Sequence, residues 1–328
     1  MTSAAVSESE APRRAILLRS STEAEHVPTA TILVPGAVEA VTYACGMRTM
    51  SQGLPEACLA IIVACGAGAG LAAVYSIPLS GAIYTLEVLL VSRSARAVAP
   101  ALVSSSIAVL ISTGFTRPAF FYSLPPLTPS LSLTVFGALI GPLLGAAGWV
   151  FRRVVASLGS ARPRDWRLLV AMPLCFTLVG LVSTRVPSVL GNGQASAQTQ
   201  FDAVWAAGAG IALTALVLVA KTATTLATIR SGGWGGVLTP AVALGAGLGA
   251  LIGLPWAAAW PGSQVAAFAF LGAAAFLGAS MKAPFTGLIL VIEFTAQGPT
   301  ILVPATLAVG GATAATAWLS RRSLSRAH

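Results

Sequence analysis

The chain has 328 residues, of which 56 % are hydrophobic and only 9 % charged, with 33 glycines and a mean hydropathy of +0.84. A water-soluble domain carries about 25 % charged residues, so an ordinary soluble, disordered or collagen-like protein is excluded. The composition is that of an all-α polytopic membrane protein.

The net charge of +9 is unevenly spread: six of the ten acids lie in the first 56 residues, and from position 57 onward four acids face fifteen Lys/Arg. Such an excess fits nucleic acid, anionic lipid, or the basic cytoplasmic loops of a membrane protein. At this hydropathy the last reading leads, and no nucleic-acid partner is expected. The four cysteines have no CxxC spacing, and the two histidines, His26 and His328, sit near the termini. Neither a disulfide framework, a metal site nor a cofactor is indicated.

In chain order, residues 1–30 read as a polar tail without the apolar core of a signal peptide. Residues 31–50 are more apolar but carry Pro35, Glu39 and Arg48, a pattern for a surface helix rather than a spanning one. Long apolar runs then follow at 57–75, 77–91, 97–115, 131–151, 168–184, 204–228, 237–255, 264–281, 284–295 and 300–319. Two of them, 77–91 and 284–295, are too short to cross a bilayer alone and begin beside a proline, the signature of broken or re-entrant helices. The expected divisions are a divergent segment 1–55, a transmembrane domain 56–320 and a short basic tail 321–328. Arg93 and Arg96, the cluster Arg152, Arg153, Arg162, Arg164 and Arg167, and the tail residues Arg321, Arg322 and Arg326 are placed in the cytoplasm. The connection 118–130, with Phe120, Phe121 and Tyr122, then falls on the other side. The C-terminus is expected to be cytoplasmic and the chain integral to the cell membrane.

An internal repeat is the strongest signal. Gly66–Glu87 and Gly272–Glu293 align without a gap at an offset of 206, with nine of 22 pairs identical. The shared Pro78/Pro284, Gly81/Gly287 and Glu87/Glu293 describe one unit used twice: a helix, a break, and a second helix ending in a carboxylate. Duplicated broken helices bring helix ends to the membrane midplane in transporters and channels. Glu87 and Glu293 read first as structural carboxylates paired with a basic loop or backbone donors, and second as proton or cation relays.

Ser231–Pro240 (SGGWGGVLTP) cannot be a stable helix, yet it leads into an apolar one near Val237. Glycines there let the backbone approach a ligand, and a helix start leaves first-turn N–H groups unpaired. With the positive end of the helix dipole, that makes an anion site that needs no charged side chain. Gly245, Gly249 and Gly253 recur every fourth residue, a ridge for close helix packing. Gly245, Gly247, Gly249 and Ala250 also fit a loose dinucleotide fingerprint, rejected because no strand precedes it. Lys221, inside an apolar run, has two readings: a positive potential along an anion path, or a lysine snorkelling to the surface.

These motifs resemble the CLC family of chloride channels and proton-coupled chloride exchangers. GAGAGLAAVYSIPLSGAIYTLE is similar to the family's first-half helix pair, SGGWGGVLTP to its second-half anion motif, and GASMKAPFTGLILVIEFT to the counterpart near the C-terminus. The resemblance runs from about Leu59 to about Ser320. It implies a CLC-like inverted repeat of tilted, broken helices with an incomplete first half, assembled as a homodimer with one pore per subunit. Anion contacts carried over by resemblance fall on backbone N–H groups around Gly235, Gly236, Val237 and Leu238, with Gly233 and Pro240 shaping the turn. Lys221 matches a position where the family often has a basic residue, and Ser325 falls near its pore hydroxyl. The family's GREGP-type segment, with its gating glutamate, has no counterpart between Ala30 and Pro55. Val88 stands where exchangers carry their proton glutamate.

The leading expectation is therefore passive, channel-like passage of chloride or a similar small anion, with membrane lipid and a second copy as partners. Proton-coupled exchange and a non-conducting truncated homologue or accessory subunit are the alternatives. An intramembrane hydrolase using Ser280 is disfavoured for want of a histidine between His26 and His328, so no enzyme is expected.

Overall fold

A computed structural model describes residues 56–90, 95–115, 121–163, 165–202, 210–233, 235–260 and 264–325. The expected segment 1–55 lies outside the described residues. Eleven α-helices make up the described fold: α1 Glu56–Tyr75, α2 Pro78–Tyr84, α3 Ala95–Phe115, α4 Leu131–Ser160, α5 Arg167–Ser183, α6 Gln194–Asp202, α7 Gly210–Arg230, α8 Leu238–Ala259, α9 Val265–Met281, α10 Pro284–Thr295 and α11 Leu302–Ser325. Among the described residues, five helices are long and apolar enough to cross a membrane: α3, α4, α7, α8 and α11.

The repeat is a physical one. At the offset of 206, α1 corresponds to α9, α2 to α10 and α3 to α11. Both helix breaks are built alike. Ser76 and Lys282, equivalent positions, turn the chain through the left-handed region at φ 56° and 57°. The next N–H then closes back on the ending helix, Ile77 on the Ala72 carbonyl (3.1 Å) and Ala283 on that of Gly278 (3.0 Å). That is the six-to-one bond of a Schellman stop. A proline then opens the next helix, where its missing N–H costs nothing. The hairpin folds back so closely that a Cβ on Gly81 would lie 2.9 Å from the Gly68 carbonyl oxygen, and one on Gly287 2.9 Å from that of Ala274. Equivalent glycines meet equivalent carbonyls, so Pro, Gly and the break have the same cause in both copies. The copies differ at their ends. Residues Thr85–Leu89 run on from α2 as a π-helical turn, while α10 stays α-helical to Thr295.

The core centres on α9. Every residue from Val265 to Ser280 is buried, as expected for a helix that is apolar all round. Its crossing with α8 is set by glycine: a Cβ on Gly245 would sit 2.6 Å from the Gly272 carbonyl oxygen, and one on Gly249 2.9 Å from the Gly272 Cα. The ridge expected from Gly245, Gly249 and Gly253 is thus a packing surface. A second ridge joins α4 to α11. Gly137, Gly141 and Gly145 face the backbone carbonyls of Pro304, Ala308 and Ala312 at a constant offset of 167, so the two helices run parallel. Small residues at every fourth position allow such contact between membrane helices.

Three features differ from the sequence reading. α4 extends to Ser160, past the expected end at 151. α11 carries on through Arg321 and Arg322 to Ser325, so the expected boundary at 321 falls inside a helix. And α6 is a short polar helix that no apolar run announces, although its Ser196, Ala197, Gln200 and Phe201 are buried.

Candidate functional site

Between α7 and α8 the chain makes a glycine turn. α7 is closed by Ser231 and Gly233, whose N–H groups donate to the Ala227 and Thr228 carbonyls (both 2.9 Å). Gly232 adopts φ 100°, a conformation that favours glycine. A Cβ on Gly233 would lie 2.7 Å from the Thr228 Cγ2, so this position too has no room for a side chain. Gly235 and Gly236 are exposed, and among the described residues a Cβ on either would meet nothing within 4 Å. The surroundings of these two glycines are open among the described residues.

α8 begins at Leu238, with Val237 as its N-cap (φ −95°, ψ 3°) and no side chain capping the turn. The Val237 carbonyl accepts from the Ala241 N–H at 2.9 Å. The N–H groups of Leu238 and Thr239 have no acceptor among the described residues, and Pro240 has none to offer. Leu238, Thr239 and Pro240 are all buried within the protein. The arrangement is a helix start with bare donors and the positive end of its dipole, preceded by two exposed glycines.

Two other parts of the chain meet this first turn. Tyr75, the last residue of α1, places its hydroxyl 3.4 Å from the Thr239 Oγ1. The Tyr75 ring stands edge-on to Phe121, 4.7 Å between centroids, and packs on Phe294 at 5.3 Å. Gly193, at φ 114°, lies against the Thr239 carbonyl and Pro240, where an added Cβ would come within 3.2 Å. Neither Tyr75 nor Thr239 stands out in the sequence. The hint was that Tyr75 ends the same apolar run that leads into the repeat's proline.

Lys221 is held elsewhere. It is 4 % exposed, and its Nζ donates to the carbonyls of Val189 (2.9 Å) and Gly191 (3.0 Å). It does not snorkel. The ammonium instead ties down the turn that carries Gly193 toward α8, which links it to the helix start by structure rather than by contact.

The two repeat glutamates each reach across to the other copy of the repeat. Glu87 accepts from the Phe285 N–H (3.2 Å), the Thr286 N–H (2.6 Å) and the Thr286 hydroxyl (2.7 Å). Glu293 accepts from the Leu79 N–H (3.2 Å), the Ser80 N–H (2.6 Å) and the Ser80 hydroxyl. Each copy's carboxylate caps the broken helix of the other. Ser80 and Thr286 were legible in principle, since both put a hydroxyl two residues after the repeated proline. Val88 is half-buried in the π-helical turn beside Glu87. The side chain of Ser325, at the end of α11, lies outside the described residues. Ser280 donates its hydroxyl to the Leu277 carbonyl at 3.1 Å and is buried.

The family model for voltage gated chloride channels matches residues 39–317. The chain belongs to the CLC family. A ClcB-like chloride channel protein of Ralstonia nicotianae is 31 % identical over 252 residues, 74 % of this chain and 56 % of that protein. The voltage-gated ClC-type chloride channel ClcB of Escherichia coli O157:H7 is 31 % identical over 246 residues, 72 % and 56 % of the two chains. The chain thus spans just over half the length of these CLC relatives. Among solved structures, a slow cyanobacterial Cl−/H+ antiporter superposes with a TM-score of 0.66 at 22 % identity, covering 79 % of this chain and 61 % of its own. A CLC-type fluoride/proton antiporter gives 0.60 at 17 % identity over 90 % and 88 %. At these identities the structural likeness carries the CLC fold.

Proposed function

We propose that the chain contributes to the passage of chloride or a similar small anion across the membrane, with the ion held at the start of α8. The supporting observation is the helix N-terminus itself: the bare N–H groups of Leu238 and Thr239, buried in the protein and opening toward Gly235 and Gly236. Backbone dipoles attract an anion there without a fixed counter-charge that would bind it too tightly to release. Passive passage is the preferred form, because Val88 stands at the position that the family resemblance gives to the exchangers' proton glutamate. The antiporter neighbours keep exchange as the second reading.

Membrane insertion follows from the CLC family and from the five apolar helices. A homodimer and a cytoplasmic C-terminus are part of the proposal. For the dimer, α3, α10 and α11 carry large exposed apolar residues, including Ile107, Phe285 and Val303, a face that lipid or a second copy would cover.

The test is flux from liposomes. Purified protein should release chloride down its gradient, with the potential clamped by a potassium ionophore and no pH change across the membrane. Chloride-driven proton movement selects exchange. Release equal to that of empty vesicles overturns transport by this chain alone and leaves it as a partner of a complete homologue.

A further inference from the structure

The stretch 121–127, between α3 and α4, is held like a strap by three glutamines. From α6, Gln194 donates its amide to the Phe121 carbonyl (3.0 Å). Gln198 pairs with Ser123 at both ends of its own amide: Oε1 accepts the Ser123 N–H (3.0 Å) and Nε2 donates to the Ser123 carbonyl (2.9 Å). Just past α10, Gln297 does the same for the far end, accepting the Leu127 N–H (2.9 Å) and donating to the Pro125 carbonyl (3.3 Å). An amide that accepts and donates takes the place of a neighbouring strand. Two residues anchor the strap in the protein: Tyr122, whose N–H donates to the Phe294 carbonyl (2.9 Å), and Leu127, both buried. Between them Ser123, Pro125 and Pro126 are exposed, so water competes for the bonds of Gln198.

Phe121 joins the strap to the first turn of α8 by two routes. Its ring stands edge-on to Tyr75, whose hydroxyl is 3.4 Å from the Thr239 Oγ1. Its carbonyl is held by Gln194, and the residue before Gln194, Gly193, lies against the Thr239 carbonyl and Pro240. Phe121, Tyr75, Thr239, Gly193 and Gln194 thus close a ring of contacts. Lys221, bonded to the Val189 and Gly191 carbonyls, fixes the turn that carries Gly193 from the other side. Coupling between distant segments travels through such chains of packed groups and hydrogen bonds. We propose that the strap is a conformational control on the start of α8. Clasped, it holds Thr239 and Pro240 from two sides; loosened at the surface, it lets the first turn of α8 fray. Gln198 is the release point, because its Nε2 also donates to the Asp202 Oδ1 (2.9 Å), a partner it keeps when Ser123 lets go. The device needs no ion at α8, so it stands or falls separately from the anion reading.

The test is hydrogen exchange of the full chain in detergent, read by mass spectrometry, with Gln194→Ala and Gln198→Ala combined in one variant. Exchange should quicken about tenfold across 121–127 and also at 241–243 in α8, with α9 unchanged. Phe121→Leu stays apolar but loses the ring that meets Tyr75, and it should quicken 241–243 as well. Gln297→Ala frees only the far end of the strap, so it should quicken 125–127 and leave 241–243 at the parental rate. Gel filtration of each variant checks folding. Faster exchange confined to 121–127 and α6 in the double variant overturns the control on α8. Equal quickening of 241–243 in Gln297→Ala overturns it too, since that would be a general loss of stability. Should the double variant fail to fold, Phe121→Leu decides: parental exchange at 241–243 overturns the proposal, and faster exchange there with α9 unchanged supports it.

Discussion

The Glu87 carboxylate accepts the Thr286 N–H at 2.6 Å, and the equivalent bond in the other copy of the repeat, Glu293 to Ser80, is also 2.6 Å. Exchanging the two copies exchanges the two bonds, which is the mark of a two-fold relation between them. Each carboxylate sits at the N-terminal end of a helix opened by proline, where unpaired N–H groups and the dipole both favour negative charge. The caps therefore lock the halves to each other as well as finishing the helices.

Removing either cap should loosen that lock. Glu87→Gln and Glu293→Gln each keep the side chain's size but lose a charge-assisted pair of backbone bonds, at a cost of about 1–3 kcal/mol. Ser80→Ala and Thr286→Ala remove only the hydroxyl and should cost about 1 kcal/mol. Thermal unfolding of the purified protein in detergent reads both. A glutamate acting as a proton relay would behave otherwise: its Gln variant would keep stability and change only transport.

The glycines of the helix hairpins give a graded series. Gly81→Ala places a Cβ 2.6 Å from that of Ala72, and Gly287→Ala places one 2.6 Å from the backbone nitrogen of Gly278. An alanine Cβ moves only with its backbone, so neither neighbour gives way easily, and both substitutions should cost about 1–3 kcal/mol by overpacking. Gly70→Ala and Gly310→Ala, with nothing within 4 Å of the new atom, should match or exceed the parent. A series in which all four behave alike would show that the hairpins are not tightly packed.

The fold was largely legible because its signals are local. Apolar runs located each of the ten apolar helices, and the gapless match of Pro78, Gly81 and Glu87 with Pro284, Gly287 and Glu293 disclosed the duplicated break. What stayed hidden was partnership and polarity. Nothing along the chain says that Glu87 caps the helix of Thr286 rather than its own, because the bond spans 199 positions. Hydropathy passed over α6, since Gln200 is polar yet 1 % exposed, its amide donating to the Thr214 carbonyl. The α8 start was visible as a glycine cluster, but Tyr75 and Gly193 reach it only through tertiary folding. Lys221 was open between two readings because a buried ammonium can be satisfied by backbone carbonyls, and no residue type records where those carbonyls are.

Lys221 supplies the next expectation. Lys221→Met fills similar space but leaves the Val189 carbonyl, buried with its residue, and that of Gly191 without their donor. The loss should be about 1–3 kcal/mol. Its effect should be regional: hydrogen exchange should quicken across 187–197, the turn and the start of α6, with α9 unaffected. A variant that changes anion passage while leaving exchange in this turn untouched would put the ammonium in the ion's path instead.

The sharpest probe of the α8 start is a substitution that the fold tolerates and an ion does not. Neither Gly235 nor Gly236 lies in the left-handed region, and among the described residues an added Cβ at either position meets nothing within 4 Å. Gly236→Val should therefore fold like the parent, with a melting temperature within a few degrees, since an exposed change away from packed contacts costs about 0.5 kcal/mol or less. If the ion reaches the bare N–H groups of Leu238 and Thr239 past these glycines, the added isopropyl group narrows that approach. Chloride release from liposomes should fall about tenfold or more, as a loss near 1.4 kcal/mol in ion binding or passage implies. Gly233→Val, by contrast, would collide with Thr228 and should lose stability and flux together. Undiminished release by well-folded Gly236→Val would mean that ions do not approach α8 from this side.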